Sequence, residues 1–442
     1  MPSRPRAPQS PFAPLRHPAF RALAFGRAIS LLGNGVAPMA LSFAVLDLTH
    51  SVTDLGLVVG SRSLFNVVFL LFGGVLADRL PRHLVLVGSG VLSACSQAAV
   101  ATLVLTHSAT VPLLIVLSAA NGTFAAVSMP ASSALVPQTV PTELRQSANA
   151  LNRMAANSAS IMGTALGGML VAGVGPGWGL VVDSASFALS TLFFLRVRIP
   201  QEATIEVEPK KPGLLSELRE GWSEFVSRTW IWVIVLAFGF INAAFAGGVQ
   251  LLGPVVADGS FGRSDWGFVL ASETVGMLLG GVVALRYRPR HLLLVGCICA
   301  GTLVLMPLGL ALGLPVSVLL LLGLVTGVCI EQFGVAWETS LQQEVPADRL
   351  ARVYSYDMVG SYVAIPLAQI TTGPLAAAVG VRPALYCAAG VIAVSTLAML
   401  SVREVRTFRV GSGRLGAEPA AEPAAEPAAE PAGDPAPLEA AG

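Results

Sequence analysis

The chain has 442 residues, 54% of them hydrophobic and 12% charged, with a formal net charge of +1. A soluble domain carries about a quarter of its residues charged, so this chain cannot cover itself with a surface that water wets. The net charge of +1 by itself says nothing about nucleic acid; no nucleic-acid partner is expected.

Residues 1–18, "MPSRPRAPQSPFAPLRHP", are polar and proline-rich and read as a cytoplasmic segment, without the features of a cleavable signal peptide. Apolar stretches then recur, each near the ~20 residues needed to cross a bilayer core of about 30 Å. They fall at 19–46, 54–77, 84–106, 111–130, 147–172, 178–195, 229–252, 266–285, 291–312, 315–337, 350–378 and 382–400. This predicts an all-α integral membrane protein of twelve transmembrane helices; the short alternating segments of a β-barrel are not seen. The N-terminal six helices occupy 19–195, a charged cytoplasmic linker 196–228, and the C-terminal six 229–400. Residues 401–442 contain the repeat "AEPAAEPAAEPAAEPAGDPAP", which buries nothing and reads as a disordered Glu/Pro/Ala-rich cytoplasmic tail.

The arginines alternate from corner to corner. Arg16 and Arg21 flank the start of helix 1, and Arg79 and Arg82 follow helix 2. Six Lys and Arg residues stand between 196 and 228, Arg286, Arg288 and Arg290 follow helix 8, and Arg403, Arg406 and Arg409 follow helix 12. The intervening corners hold little more than Arg263 and Arg382. Lys and Arg accumulate on the cytoplasmic side of a membrane, so both termini are expected inside. The five cysteines fall within predicted helices with no zinc-like spacing, and neither a metal nor a cofactor is expected.

The chain is written twice. "GGVLADRLPRHLVLVG" (73–88) parallels "GGVVALRYRPRHLLLVG" (280–296), and "LVPQTVPTELRQSANA" (135–150) parallels "SLQQEVPADRLARVYS" (340–355). The two halves are therefore expected to be pseudo-symmetric six-helix bundles, a parallel repeat typical of secondary transporters. The corner "GGVLADRLPRH" closely resembles the signature of the major facilitator superfamily. Gly74, Asp78, Arg79 and Arg82 match that pattern, and Pro81 replaces the usual glycine. More finely, the stretches 20–49, 135–170 and 337–361 resemble bacterial drug and siderophore exporters, the transmembrane secretion effector group with its macrolide-efflux and enterobactin-exporter relatives. Helix 5 departs from the antiporter pattern, with Gly163-Thr164 before Gly167-Gly168, and helix 4 lacks the arginine of proton-coupled drug antiporters.

The resemblance implies a secondary active transporter, not an enzyme, that exports a small amphipathic compound by alternating access with proton coupling. The alternatives are an uncoupled facilitator or importer of a small metabolite, and a non-transporting receptor or scaffold. The partners expected are the small-molecule substrate, protons and the lipid bilayer, with the protein a monomer. Gly74, Asp78, Arg79 and Arg82 would form a gate, the carboxylate pairing with an arginine and a helix N-terminus across the halves for about 1–2 kcal/mol; alternatively the basic residues only set topology. The second copy has Leu285 where the first has Asp78. Gly163, Gly167 and Gly168 would let helices approach closely, as plain packing or as a pivot, and Gly373-Pro374 is their counterpart in helix 11, where the proline frees a carbonyl and permits a bend.

Charges within the helices cost about 2.5–3.5 kcal/mol each at mid-membrane, which points to a cavity or a partner. These are Arg27, Arg62, Asp183, Glu273, Glu331 and Asp357. Asp183, on a helix that the resemblance makes peripheral, reads as structural. Glu331 and Glu273 are the candidate proton carriers, and Arg27, Arg62 and Asp357 are candidate ion-pair or gating residues. Asn34, Asn121, Phe124, Phe238, Asn242 and Phe333 are candidates for lining the substrate cavity, although packing or lipid contact explains any one aromatic equally well.

Overall fold

A computed structural model describes residues 12–79, 81–197, 222–223, 225–286 and 289–408. Most of the linker and all of the C-terminal repeat lie outside the described residues.

Twelve helices are long and apolar enough to cross a membrane, and the described residues contain no strand. In chain order they are α1 (Pro18–Thr49), α2 (Val52–Arg79), α3 (Arg82–Leu105), α4 (Val111–Leu135), α5 (Arg145–Val174) and α6 (Pro176–Phe194). Then come α7 (Thr229–Asp258), α8 (Arg263–Arg286), α9 (Leu292–Leu312), α10 (Val316–Glu344), α11 (Ala347–Tyr362, resuming as Ile365–Val379) and α12 (Val381–Ser401). A short helix, α13 (Arg403–Thr407), follows.

Local chemistry sets several boundaries. Proline stands in the first turn of α1, α4 and α6, where its missing N–H costs nothing. Between α1 and α2, His50 takes the left-handed conformation and the Ser51 hydroxyl accepts the Asp54 backbone N–H at 3.2 Å, capping α2. Gly175 (φ 92°) turns α5 into α6, and Gly380 (φ 94°) turns α11 into α12, at matching places in the two halves.

The helices depart from regularity in three places. A π-helical turn at Ala246–Leu251 interrupts α7, which runs on to Asp258, beyond the expected end at 252. A 3-10 turn at Thr302–Val304 interrupts α9. The third break is in α11, at Val363-Ala364, just before Pro366 at the second position of the resumed helix. Pro374, the expected bend, lies inside that resumed helix.

The packing repeats. In the first bundle α1 packs on α5 and α6, α2 on α4, and α3 on α4 and α6. In the second, α7 packs on α11 and α12, α8 on α10, and α9 on α10 and α12. Lipid tails give apolar helices no reason to associate, so close packing of small residues does the work. Gly122 of α4 lies against the backbone carbonyl of Arg62 in α2, and Gly327 of α10 against that of Glu273 in α8. A side chain at either glycine would collide with backbone. Between bundles the main contacts are α2 with the Ile365–Val379 segment of α11, and α5 with α8.

The two ends of the molecule differ. The terminal end holds the corners after α2 and α8 together with the start of α1 and the end of α12; the distal end holds the corners after α1, α7 and α11. At the distal end Gly168 of α5 meets Gly267 of α8, and Gly56, Gly60 and Gly373 bring α2 and α11 together. Towards the terminal end the Ala347–Tyr362 segment of α11 turns to α7 instead.

Candidate functional site: a cavity between the bundles

The distal closure and terminal divergence leave a cavity of about 820 Å³ between the bundles. The first bundle contributes Asn34, Met39, Val59, Arg62, Asn66 and Ser160, among others. The second contributes Gln250, Trp266, Leu270, Met358, Tyr362 and Gln369. The Arg62 guanidinium donates to Asn34 Oδ1 at 3.0 Å, and Asn34 Nδ2 donates to the Ser30 carbonyl at 3.1 Å, so a side chain on α1 orients the arginine of α2. Gln369 is buried, and its Oε1 has no hydrogen-bond partner. Met129, Met358 and Tyr362, towards the terminal end, are each about half exposed, so the cavity communicates with that side.

At the distal end an ion-pair cluster crosses the bundles. Arg263, at the start of α8, forms a two-pronged pair with Asp47 at the end of α1; Nη1 reaches Asp47 Oδ2 at 2.9 Å and Nη2 binds Oδ1. Its Nε donates to Asp258 Oδ1 at 2.7 Å, and the guanidinium lies over the Phe43 ring, 4.6 Å from the centroid. Planar guanidinium and carboxylate match in such a fork, here at a partly exposed site. Sequence reading singled out none of these acids; the available signal was a lone arginine in an otherwise bare corner.

The candidate residues separate by position. Asn34 and Arg62 line the cavity. Asn121, Phe124, Phe238, Asn242 and Phe333 do not. Asn121 donates to Ser96 Oγ at 3.3 Å, tying α4 to α3, and Asn242 donates to the Ser361 carbonyl at 3.0 Å, tying α7 to α11. Phe238 and Phe333 stack at 4.2 Å inside the second bundle. Asp357 accepts from Trp337 Nε1 at 2.9 Å and Ser361 Oγ at 3.0 Å, and Arg27 donates to Ser132 Oγ at 3.4 Å, linking α1 with α4. Glu331 packs beside Gly280 of α8, and Glu273 lies one turn beyond Leu270; neither is among the lining residues.

Of the small residues, Gly163 and Gly167 pack on α1 in their own bundle, whereas Gly168 and Gly373 pack across to the other. Gly74, Asp78 and Arg79 lie on the last turns of α2, their side chains outside the described residues, and Arg82 opens α3. Asp183 is fully buried where α6 packs on α1 beside Gly33, and neither carboxylate oxygen has a hydrogen-bond partner. It lies close enough to Arg62 for the two charges to interact, without a bond between them.

The comparisons agree with this geometry. The enterobactin exporter EntS of Shigella boydii serotype 18 is 27% identical over 414 residues, covering 89% of this chain and 94% of the relative. EntS of an Escherichia coli O1:K1 strain matches to the same extent. Among solved structures, the nucleoside transporter NupG aligns with a TM-score of 0.66 at 14% identity, over 87% of this chain and all of that one. A bacterial homologue of the human lysosomal transporter Spinster, in an inward-facing and unoccupied conformation, aligns with a TM-score of 0.66 at 15% identity, over 90% of this chain and 99% of that one. Likeness at that identity establishes the fold alone. With the Major Facilitator Superfamily model matching residues 23–368, the chain belongs to that superfamily, as a multi-pass membrane protein.

Proposed function

We propose that this protein exports a small amphipathic compound (a drug, a siderophore or a secondary metabolite) across the bacterial inner membrane by alternating access, drawing on the proton gradient. The observation that carries the proposal is the cavity of about 820 Å³ between the bundles, sealed distally by Arg263 and Gly168–Gly267 and open towards the other end. Its size is that of a drug-sized ligand site. The exporters matched along nearly the whole chain support the outward direction.

In this reading the terminal end is cytoplasmic, as the arginine distribution implies, and the conformation is inward-facing. Substrate enters from the cytoplasm. The bundles then rock about the α2–α11 and α5–α8 contacts, the distal ion pairs break, and a cytoplasmic closure forms at Asp78, Arg79 and Arg82. Losing a half-exposed pair of this kind costs about 1 kcal/mol, which suits two states separated by only a few.

Glu331 and Glu273 remain the proposed proton carriers. A membrane carboxylate with no cation beside it is held more cheaply neutral than charged. Substrate efflux from proteoliposomes, with and without an imposed pH gradient, tests the coupling. Glu331→Gln and Glu273→Gln are expected to abolish the response to the gradient while substrate exchange at equilibrium persists. Full gradient-driven efflux in both variants would favour an uncoupled facilitator, and no flux under any condition would favour a receptor or scaffold.

A further inference from the structure

The polar content of the cavity is one-sided. Among its described lining residues Arg62 is the sole charged side chain, and no carboxylate lines it. The remaining polar groups are neutral amides and hydroxyls, with Asn34, Asn66, Gln250 and Gln369 supplying the amides. Arg62 spends one N–H on Asn34; a guanidinium has five donors in a planar fork. The acids nearby stand behind the wall. Asp183 is enclosed between α6 and α1, and Glu273 is the next turn of α8 beyond Leu270; neither is hydrogen-bonded to the guanidinium. A cation would meet Arg62 with no counter-charge on the lining. An anion would complete the fork.

We infer that the cavity takes an amphipathic anion, its acidic group on the Arg62 guanidinium and its apolar body against Met39, Val59, Trp266 and Leu270. Gln369 offers a second handle from the opposite bundle, because its buried, unpartnered Oε1 can accept a hydrogen bond from a ligand hydroxyl. The inference adds a driving force to the exporter reading, on which the direction of flux rests. A cell interior is negative, so each negative charge carried outward gains about fiftyfold in equilibrium accumulation per 100 mV. Export of an anion therefore runs on the membrane potential directly, with any counter-proton adding to it.

Carboxyfluorescein and rhodamine 6G share a xanthene ring system and carry opposite charge, so they separate the charge preference from the apolar fit. Fluorescence anisotropy with the purified full chain is expected to show carboxyfluorescein bound about tenfold or more tightly than rhodamine 6G. Arg62→Gln should weaken carboxyfluorescein by about tenfold or more, and Arg62→Lys by less, because it keeps the charge and loses the fork. The wild-type preference stands as a test even where Arg62→Gln fails to fold. Equal binding of the two dyes, binding of neither, or unchanged carboxyfluorescein affinity in a folded Arg62→Gln protein overturns the inference. In potassium-loaded proteoliposomes an inside-negative valinomycin potential should accelerate carboxyfluorescein efflux without a pH gradient. Anion-selective binding with no flux at all would support the anion site and overturn the exporter reading instead.

Discussion

The corners after α2 and α8 carry nearly the same octapeptide, "PRHLVLVG" and "PRHLLLVG", and the two copies are put to different use. In the first, His83 Nε2 donates to the Phe194 carbonyl at 2.8 Å, closing the end of α6 onto α3. In the second, His291 Nδ1 is buried with no partner. The same contrast recurs inside the helices. Arg62 and Glu273 present their backbone carbonyls to Gly122 and Gly327 in matching packing, yet their side chains carry opposite charge. The duplication has kept backbone contacts, where any larger residue collides, and has released polar side chains. Function in a transporter with two like halves is therefore to be sought where the halves disagree: Arg62 against Glu273, and Asp78 against Leu285.

The largest effect is expected where the halves agree. Gly122→Val and Gly327→Val each force a side chain into a backbone carbonyl, and such overpacking costs about 1–3 kcal/mol or more. Both should lower the melting temperature and the yield of monodisperse protein, while Gly390→Val, with open space around it, should behave as wild type. A tolerated valine at 122 together with a destructive one at 327 would break the claimed equivalence of the bundles.

A middle-sized effect should separate the corners after α2 and α8. Asp78→Asn is expected to cut transport sharply, about tenfold for a lost interaction of 1–2 kcal/mol, and Leu285→Asn to be mild. Transport rates at matched expression in proteoliposomes decide it, and similar losses from both would remove the asymmetric gate.

The twelve helices and their duplication were legible because a bilayer demands about 20 apolar residues per crossing, a signal carried by composition alone. Breaks within helices were not legible. Pro374 reads as the bend, yet α11 breaks at Val363-Ala364, before Pro366, because a proline's effect depends on whether neighbouring helices accommodate it. Of six side chains expected at the cavity, Asn34 lines it, since residue type says nothing about which face of a helix turns inward. Arg62 was singled out by its charge as an ion-pair or gating candidate, not as a cavity residue, and Asp183 drew notice the same way, although its burial without partners is a tertiary fact. Asp47, Asp258 and Gln369 had no such signal. Two sit in helix-end turns where acids are ordinary, and the third is a neutral amide.

The smallest effect should come from the histidines. His83→Ala removes a hydrogen bond to a helix-end carbonyl and is expected to cost about 1 kcal/mol. His291→Ala removes a group with an unsatisfied buried nitrogen and should change stability by less than about 0.5 kcal/mol. Thermal melts in one detergent give the order, and the reverse order would show that the two copies do the same job.

The central claim is that the two bundles close one end of the cavity as they open the other. It is tested most directly by spin-label distances at both ends, with the five native cysteines replaced by alanine. One label pair goes at Val174 and Ser260 of the distal end, and a second at Arg145 and Arg286 of the terminal end; all four positions are exposed. In the wild type the distal pair should be short and the terminal pair long. Gly168→Leu, which pries α5 from Gly267, should lengthen the distal distance and shorten the terminal one together. A distal distance that lengthens while the terminal one stays long would describe an open channel and contradict alternating access.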